Sequence, residues 1–144
     1  MRAEEIEDVV RVWRRARDDS QPWLEARMGH TAEDDLRFFR GTIARENDVW
    51  VAVEGEVAGF LAIAGERLGW LYVDPVSQRR GIGTALLDKA KALSPAGLTL
   101  FTHQQNQRAR AFYERRGLRA VRFGVSPVPE SEPDVLYRWN PAGS

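Results

Sequence analysis

Two segments near the start of the chain repeat apolar residues at the spacing of an α-helix, with charged residues between them. The first covers residues 3–17, and the second opens at Thr31, where Asp34 completes a capping pair. The apolar positions of the first are Ile6, Val9, Val10, Trp13 and Ala16, and those of the second are Leu36, Phe39 and Ile43. Between the segments, a proline and a glycine favour a loop over residues 21–30. The pattern therefore predicts two amphipathic helices joined by a loop.

From residue 49 onward, the apolar pattern becomes that of β-strands, separated by turns and by two further helices. The predicted strands cover residues 49–53, 57–64, 68–73, 98–102, 118–124 and 135–139. One helix carries Ile82, Leu86, Ala90 and Leu93 at helical spacing, and the other covers residues 106–116. Strands that first follow one another and then alternate with helices predict an α/β fold with a mixed sheet.

The length and the charge of the chain limit what it can be. Its 144 residues suit a single domain spanning positions 1–144. The 21 basic and 21 acidic residues cancel, which argues against a protein that coats nucleic acid or an anionic membrane. Because the chain has no cysteine, disulfides, thiolate nucleophiles and cysteine-ligated zinc are excluded. The charged first segment lacks the apolar core of a signal peptide, and we expect a cytoplasmic protein.

A short loop between the strand at residues 68–73 and the next helix carries the first candidate chemistry. Gly81 and Gly83 open that helix, so that backbone N–H groups and the positive end of the helix dipole can meet a phosphate. Arg79 and Arg80 can add positive charge. The Walker and dinucleotide-binding patterns are both absent. Glycines at such a turn also serve turn and capping roles alone, so the loop by itself predicts either a pyrophosphate site or an ordinary helix start.

A second motif follows the strand that ends at Thr102. Its residues are Asn106, Ala109, Arg110, Ala111, Phe112, Tyr113, Glu114, Arg115, Arg116, Gly117 and Leu118. Joined to the loop and helix at residues 78–87, this motif resembles the GNAT superfamily of acyl-CoA dependent N-acyltransferases. The resemblance covers residues 50–123 well and the rest of the chain more loosely. Two separated motifs in the correct order are far more specific than either motif alone.

The resemblance implies a GNAT-like fold, with a mostly antiparallel central sheet and flanking helices, and an N-acetyltransferase that uses acetyl-CoA and no metal. The acceptor would be a primary amine of a small molecule or a protein, which attacks the thioester directly in a ternary complex. The implied cofactor-binding residues are Leu71, Tyr72, Val73, Gln78, Arg79, Arg80, Gly81, Ile82, Gly83, Thr84, Asn106, Phe112 and Tyr113. A homodimer is compatible with this interpretation.

Within that set, the resemblance gives some residues individual roles. The loop at residues 78–84 would bind the pyrophosphate of CoA, and a backbone N–H near Val73 would point at the thioester carbonyl. Asn106 would hydrogen-bond the pantetheine arm, Phe112 would pack near it, and Tyr113 would protonate the departing thiolate. These roles agree with general chemistry, because a preorganised N–H stabilises developing negative charge and a phenol is protonated at neutral pH.

The sequence offers two candidates for the base that removes a proton from the acceptor amine. Glu66 follows the predicted hairpin, and His103 ends the strand before the second motif. A histidine side chain changes charge near neutral pH. Both residues also suit an ordinary loop or surface role, and a chain of water molecules can replace a single base.

Aromatic residues suggest where the acceptor binds. Trp23, Trp70 and Tyr72 are expected to wall an acceptor pocket. The tryptophans expected in the core are Trp13 and Trp50. The family usually begins with a short strand, which in this chain is absent or reduced to residues 1–3.

Two other functions compete with the enzyme. A noncatalytic CoA-binding sensor or interaction domain could keep the same fold, although Tyr113 and the complete pyrophosphate loop favour catalysis. The candidates for nucleic-acid binding are Arg108, Arg110, Arg115, Arg116 and Arg119. The neutral net charge weighs against that second alternative.

Overall fold

The structure, a computed structural model, describes residues 1–78 and 80–141, and within these residues the chain forms a six-stranded sheet with helices on both faces. The helices are α1 (Ile6–Ser20), α2 (Pro22–Met28), α3 (Ala32–Phe38), α4 (Ala44–Glu46), α5 (Ile82–Leu93) and α6 (Gln107–Arg115). The strands are β1 (Asp48–Glu54), β2 (Glu56–Ala64), β3 (Arg67–Val73), β4 (Leu98–His103), β5 (Arg119–Val125) and β6 (Pro133–Trp139). None of the helices in these ranges is long and apolar enough to cross a membrane.

The sheet is antiparallel except at its centre. Its strands lie in the order β1-β2-β3-β4-β6-β5, and β3 and β4 are the parallel neighbours. Among the described residues these two strands share one paired position, Arg67 with Thr99. Beyond it they separate, which leaves a gap toward their carboxyl ends at Val73 and His103. The predicted mixed, mostly antiparallel sheet is confirmed, and its one parallel junction is also its opening.

The two faces of the sheet bury separate groups of apolar side chains. Successive side chains of a strand point to opposite faces, so β2 contributes to both groups. Phe60 and Ala62 pack toward α1, whereas Leu61 and Ile63 pack toward α5. This double burial explains why the sequence of β2 is apolar at almost every position.

The second predicted helix begins where its capping pair indicated. Thr31 Oγ1 accepts a hydrogen bond from the backbone N–H of Asp34, and the Asp34 carboxylate accepts one from the N–H of Thr31, both at 3.1 Å. The helix continues from α3 through a π-helical turn at Phe39–Ile43 into α4. Phe39 and Ile43 are fully buried, as the helical spacing predicted.

The loop predicted at residues 21–30 is instead helical for most of its length, as α2. Pro22 occupies the first turn, where a missing N–H costs nothing because that N–H has no helical partner. Gly29 ends the helix in the left-handed conformation, with φ at 65°. The proline and the glycine therefore mark the boundaries of a short helix, and the prediction of a loop was wrong.

The expectation that Trp50 lies in the core is also wrong. Trp50 is 42% exposed on the edge strand β1, where the Lys89 ammonium lies 3.9 Å from the centre of its ring. Trp13 is buried as expected. No strand precedes α1 in residues 1–5, which form an extended start and a 3₁₀ turn.

Gly59 allows α5 and β3 to approach β2 closely. A Cβ atom there would lie 2.8 Å from the carbonyl oxygen of Tyr72 and 3.1 Å from Cδ1 of Leu86. We expect Gly59→Ala to lower the free energy of unfolding by about 1–3 kcal/mol, because the packed surroundings must shift to admit the methyl group. Urea denaturation measures this change.

Gly69→Ala is the matched control. Its added Cβ would meet its nearest neighbour, the carbonyl oxygen of Ala62, at 3.8 Å, which is an ordinary contact. We expect a change within about 0.5 kcal/mol. Equal losses in the two variants would contradict the account of Gly59.

Candidate active site

A cavity of about 950 Å³ follows the gap between β3 and β4. The start of α5, the helix α6 and the loop between β5 and β6 complete its walls. The predicted cofactor residues that line it are Leu71, Tyr72, Val73, Gln78, Gly81, Gly83, Thr84, Asn106, Phe112 and Tyr113. Its size suits an organic ligand. Two motifs that are separate in the sequence thus meet at one cavity.

Two predicted cofactor residues lie outside this lining, and a third is not among the described residues. Ile82, the first residue of α5, is 7% exposed, and its side chain packs in the core. A ligand in the cavity can therefore contact its backbone N–H but not its side chain. The guanidinium of Arg80 pairs with the carboxylate of Glu54 at 3.6 Å and lies outside the described cavity lining. Arg79 lies outside the residues that the structure describes.

The first turn of α5 carries backbone N–H groups that come before the hydrogen bonds of the helix itself. Gly81 is the N-cap, with φ at 80°, and it has no side chain to occupy the first turn. The N–H groups of Ile82, Gly83 and Thr84 have no hydrogen-bond partner within residues 1–78 and 80–141. Free donors at the positive end of a helix dipole suit a phosphate or pyrophosphate group.

Arg116 adds a positive charge beside this helix start. Its Nε donates to Thr84 Oγ1 and its Nη1 donates to the carbonyl of Phe112, both at 3.0 Å. Its guanidinium also lies 3.9 Å from the centre of the Phe112 ring. From the sequence, Arg116 belongs to the second motif without a role of its own there, and it is also a candidate for nucleic-acid binding. Its position directly before Gly117, which closes α6, is the signal that could have placed it at this cavity.

The edge of β3 also offers a free N–H to the gap. Asp74 donates its backbone N–H to the carbonyl of Ala58 on β2, at 2.7 Å. Neighbouring peptide groups of an extended strand point to opposite edges. The N–H of Val73 therefore faces away from β2, toward the gap with β4.

Tyr113 brings a phenol to the cavity from α6. The residue is 8% exposed, and its ring packs against the rings of Phe112 and Tyr137, with centroids at 5.2 and 6.0 Å. Burial raises the pKa of Tyr113 above its ordinary value, and the nearby Tyr72 raises it further. The hydroxyl therefore stays protonated at neutral and moderately alkaline pH, as a proton donor must.

Asn106 has a structural role as well as a place in the lining. Its side-chain oxygen accepts a hydrogen bond from the backbone N–H of Ala109, at 3.1 Å, and so caps α6. The side-chain NH₂ group is then the part of Asn106 that can reach a ligand.

The two candidate bases lie in different places. His103 lines the cavity, its side chain is 12% exposed, and its Nδ1 is buried without a partner in the described part of the chain. Glu66 lies in the exposed turn between β2 and β3, where its carboxylate is 3.3 Å from the guanidinium of Arg138. The structure places His103 at the cavity and Glu66 outside its described lining.

The aromatic residues predicted for the acceptor lie on the α1 side of the gap. Trp70 and Tyr72 line the cavity. Burial raises the pKa of Tyr72, and Arg17 and Gln21 offset part of that rise. Trp23, on α2, packs edge-on against His103, with ring centroids at 6.2 Å. The cavity therefore has helix α5 at one side and a wall of aromatic residues at the other.

Comparison with known proteins assigns the chain to a family. Residues 45–119 match the family described as acetyltransferase (GNAT) domain. This match covers more than half of the chain. The chain belongs to the GNAT acetyltransferases, and it is an enzyme that transfers an acetyl group to an amine. Membership of the family also supports the use of acetyl-CoA.

Individual relatives cover most of the chain. The peptidyl-lysine N-acetyltransferase YjaB of Salmonella typhimurium is 33% identical over 122 residues, which span 83% of this chain and 81% of the relative. Its counterpart from Escherichia coli is 32% identical over the same length, with coverages of 83% and 80%.

Solved structures agree with the fold. The apo form of YjaB from Escherichia coli matches with a TM-score of 0.76 and 26% identity, over 96% of this chain and 93% of that one. The PaiA N-acetyltransferase from Thermoplasma acidophilum in complex with coenzyme A matches with a TM-score of 0.64 and 20% identity, with coverages of 97% and 95%. The latter likeness shows the shared fold.

Replacing Gly81 by alanine should weaken CoA binding. The left-handed backbone costs a non-glycine residue about 1–2 kcal/mol, so the first turn of α5 should rearrange and its N–H groups should lose their alignment. We expect the dissociation constant of CoA, measured by calorimetry, to rise about tenfold.

Gly65→Ala controls for the backbone cost. Gly65 has φ at 60° and, like Gly81, has nothing within 4 Å of an added Cβ, but it lies in the β2–β3 turn. The two variants should lose similar stability, and Gly65→Ala should bind CoA as the unmodified protein does. CoA affinity that is unchanged in Gly81→Ala, or equally reduced in both, would exclude this turn as the pyrophosphate site.

Proposed function

We propose that this enzyme transfers the acetyl group of acetyl-CoA directly to the side-chain amine of a lysine in a peptide or protein. Two relatives that cover most of the chain are named peptidyl-lysine N-acetyltransferases. The observation that carries the proposal is the interrupted pairing of β3 and β4. It lets one substrate reach the gap from the side of α5 and the other from the side of α1.

The donor would bind on the side of α5. The backbone N–H groups of residues 82–84, which have no partner among the described residues, suit its pyrophosphate. Arg116 lies beside these groups, and its positive charge is opposite to that of the pyrophosphate. Asn106 and Phe112, which line the same part of the cavity, are placed to contact the pantetheine arm. The bound donor supplies the thioester, whose carbonyl carbon accepts the amine.

The protein would stabilise the negative charge that develops on two atoms of the thioester, the acyl oxygen and the sulfur. The N–H of Val73 faces the gap and can donate to the acyl oxygen as negative charge builds on it. Tyr113 can give its proton to the sulfur when the carbon–sulfur bond breaks. A phenol with an ordinary pKa of about 10 already carries its proton at neutral pH, and the rise in the pKa of Tyr113 caused by burial keeps that proton in place until the sulfur leaves.

The acceptor needs a base, since a lysine ammonium has an ordinary pKa of about 10.4 and must lose a proton before it can attack. His103 is the candidate that lines the cavity. In the proposed sequence, His103 takes the first proton of the ammonium, and the amine nitrogen forms a bond to the acyl carbon. Tyr113 protonates the leaving sulfur and regains a proton from the nitrogen of the new amide.

Direct transfer agrees with the composition of the chain. The chain has no cysteine, so an acyl-enzyme on a thiolate is excluded. Access to the gap from two sides of the sheet allows donor and acceptor to be bound together. A ternary complex therefore needs no intermediate carrier on the protein.

Replacing Tyr113 by phenylalanine should slow acetyl transfer to a lysine peptide without weakening CoA binding. The unmodified protein should release CoA thiol in the presence of the peptide, and Tyr113→Phe should lower kcat about 100-fold, because the leaving sulfur loses its proton donor. A thiol-release assay gives kcat, and calorimetry gives the dissociation constant of CoA, which should change less than twofold.

Tyr137→Phe is the matched control for losing a tyrosine hydroxyl. The Tyr137 hydroxyl bonds to Glu114 and Arg110 rather than to the cavity, so its loss should reduce stability by about 1 kcal/mol and leave kcat nearly unchanged. Comparable kcat in Tyr113→Phe and the unmodified protein would remove Tyr113 as the acid. No thiol release with any lysine peptide would overturn the proposed acceptor.

A further inference from the structure

We infer that Glu130 and Asp134, in the loop and strand that follow β5, recognise the charge of the acceptor's ammonium beside His103. This inference rests on the proposed function, and it assigns residues that bind the acceptor. Neither carboxylate belongs to the two motifs that point to the family. Both line the cavity at its His103 end.

The two carboxylates approach His103 from different elements. Oε1 of Glu130 lies 3.8 Å from Nε2 of His103. Asp134 pairs with His103 in the register of β6 and β4, and directly paired residues of antiparallel strands carry their side chains on the same face. A loop carboxylate thus lies near the imidazole, and a strand carboxylate is carried on the same face of the sheet at the paired position.

Within the described part of the chain, neither carboxylate pairs with an arginine or a lysine, although arginine is abundant in this sequence. Asp134 is 8% exposed, and burying an uncompensated carboxylate is costly. A cation that enters the cavity would supply the missing charge.

An unused polar atom on the same side of the cavity also points to a ligand. Nδ1 of His103, a residue that lines the cavity, is buried and has no hydrogen-bond partner among the described residues. Buried polar atoms are nearly always paired in native proteins. Its presence beside the two carboxylates indicates that a polar group of the acceptor completes this part of the site.

The loop that carries Glu130 is held in place. The Arg27 side chain, from α2, donates to the carbonyl of Glu130 and pairs with the Glu132 carboxylate at 2.7 Å. Backbone bonds across the loop join Ser126 to Glu132, with the Ser126 N–H donating to the Glu132 carbonyl at 2.8 Å. The carboxylate of Glu130 is thus presented by a closed loop that is tied to a helix.

Charge is also divided along the cavity. Arg116, which lines the cavity directly after α6, bonds to Thr84 at the helix start proposed for the pyrophosphate. Arg108, near the beginning of α6, also lines the cavity, but its charge is paired with Asp19 at 2.8 Å. The carboxylates lie at the end of β4. Opposite charges at the two ends would guide an anionic donor and a cationic acceptor to different places.

The experiment compares a lysine peptide with the same peptide carrying norleucine in place of lysine. The first has the ammonium and is acetylated, whereas the second has a similar apolar chain and acts as an inhibitor. We expect Glu130→Gln and Asp134→Asn each to raise KM for the lysine peptide about tenfold. The inhibition constant of the norleucine peptide should change less than twofold.

Two further variants distinguish the effect of losing the carboxylate charge from a general disturbance of the structure. Glu130→Asp keeps the charge and should keep most of the affinity for the lysine peptide. Glu56→Gln removes a carboxylate that is 85% exposed at the β1–β2 turn, and it should leave KM within twofold of the unmodified protein. An unchanged KM in Glu130→Gln and Asp134→Asn overturns the inference. So does a parallel rise in the inhibition constant of the norleucine peptide, because that would report a distorted site.

A binding measurement distinguishes failure of this inference from failure of the proposed function. Calorimetry on the CoA-bound protein with n-butylammonium requires no acetyl transfer. We expect binding that weakens about tenfold in Glu130→Gln, even if no lysine peptide is acetylated. No binding to the unmodified protein, or equal binding to the variant, overturns the inference by itself.

Discussion

Strands that stop pairing leave backbone N–H and C=O groups that need other partners, and this constraint at the junction of β3 and β4 underlies the rest of the structure. The two strands pair at Arg67 and Thr99 and separate beyond it. The helices on either face hold the sheet together around the gap, because each packs on a different set of side chains from β2 and β3. The gap is therefore a fixed opening in an otherwise continuous sheet.

The position of the gap gives its edges distinct chemistry. The side of the gap near α5 is lined by the backbone N–H groups at the start of that helix, by Arg116 and by the phenol of Tyr113. The side near α1 is lined by Trp70, Tyr72 and His103. In the proposed mechanism this arrangement places an acid, a base and an N–H donor around one carbonyl carbon. No catalytic group needs to move far, because each is carried by a helix or a strand.

Local signals in the sequence predicted most of the helices and strands, and they singled out two motifs that the fold brings to one cavity. The loop at Gly81 and the motif at Tyr113 depend on short-range backbone chemistry, and both meet at the cavity. The helix α2 was missed because Pro22 and Gly29 suit a loop and the ends of a helix equally well. Trp50 was misplaced because its strand is an edge strand, which the apolar pattern of β1 does not reveal.

The carboxylates proposed to bind the acceptor were harder to predict from the sequence. Glu130 and Asp134 follow His103 by more than 20 residues, and they meet it through strand pairing and a folded loop. Single carboxylates in a proline-containing segment look like solvated loop residues until that register is known. Arg116 was recognisable as a charge, but its contact with Thr84 depends on how α5 and α6 pack.

The most direct test of the central claim is an NMR titration of the ¹⁵N-labelled protein, of 16.4 kDa, with CoA. If the gap and the start of α5 form the donor site, the largest shifts should fall on the backbone N–H groups of Val73, Ile82, Gly83 and Thr84. Binding that leaves these signals in place and shifts residues elsewhere would contradict the account.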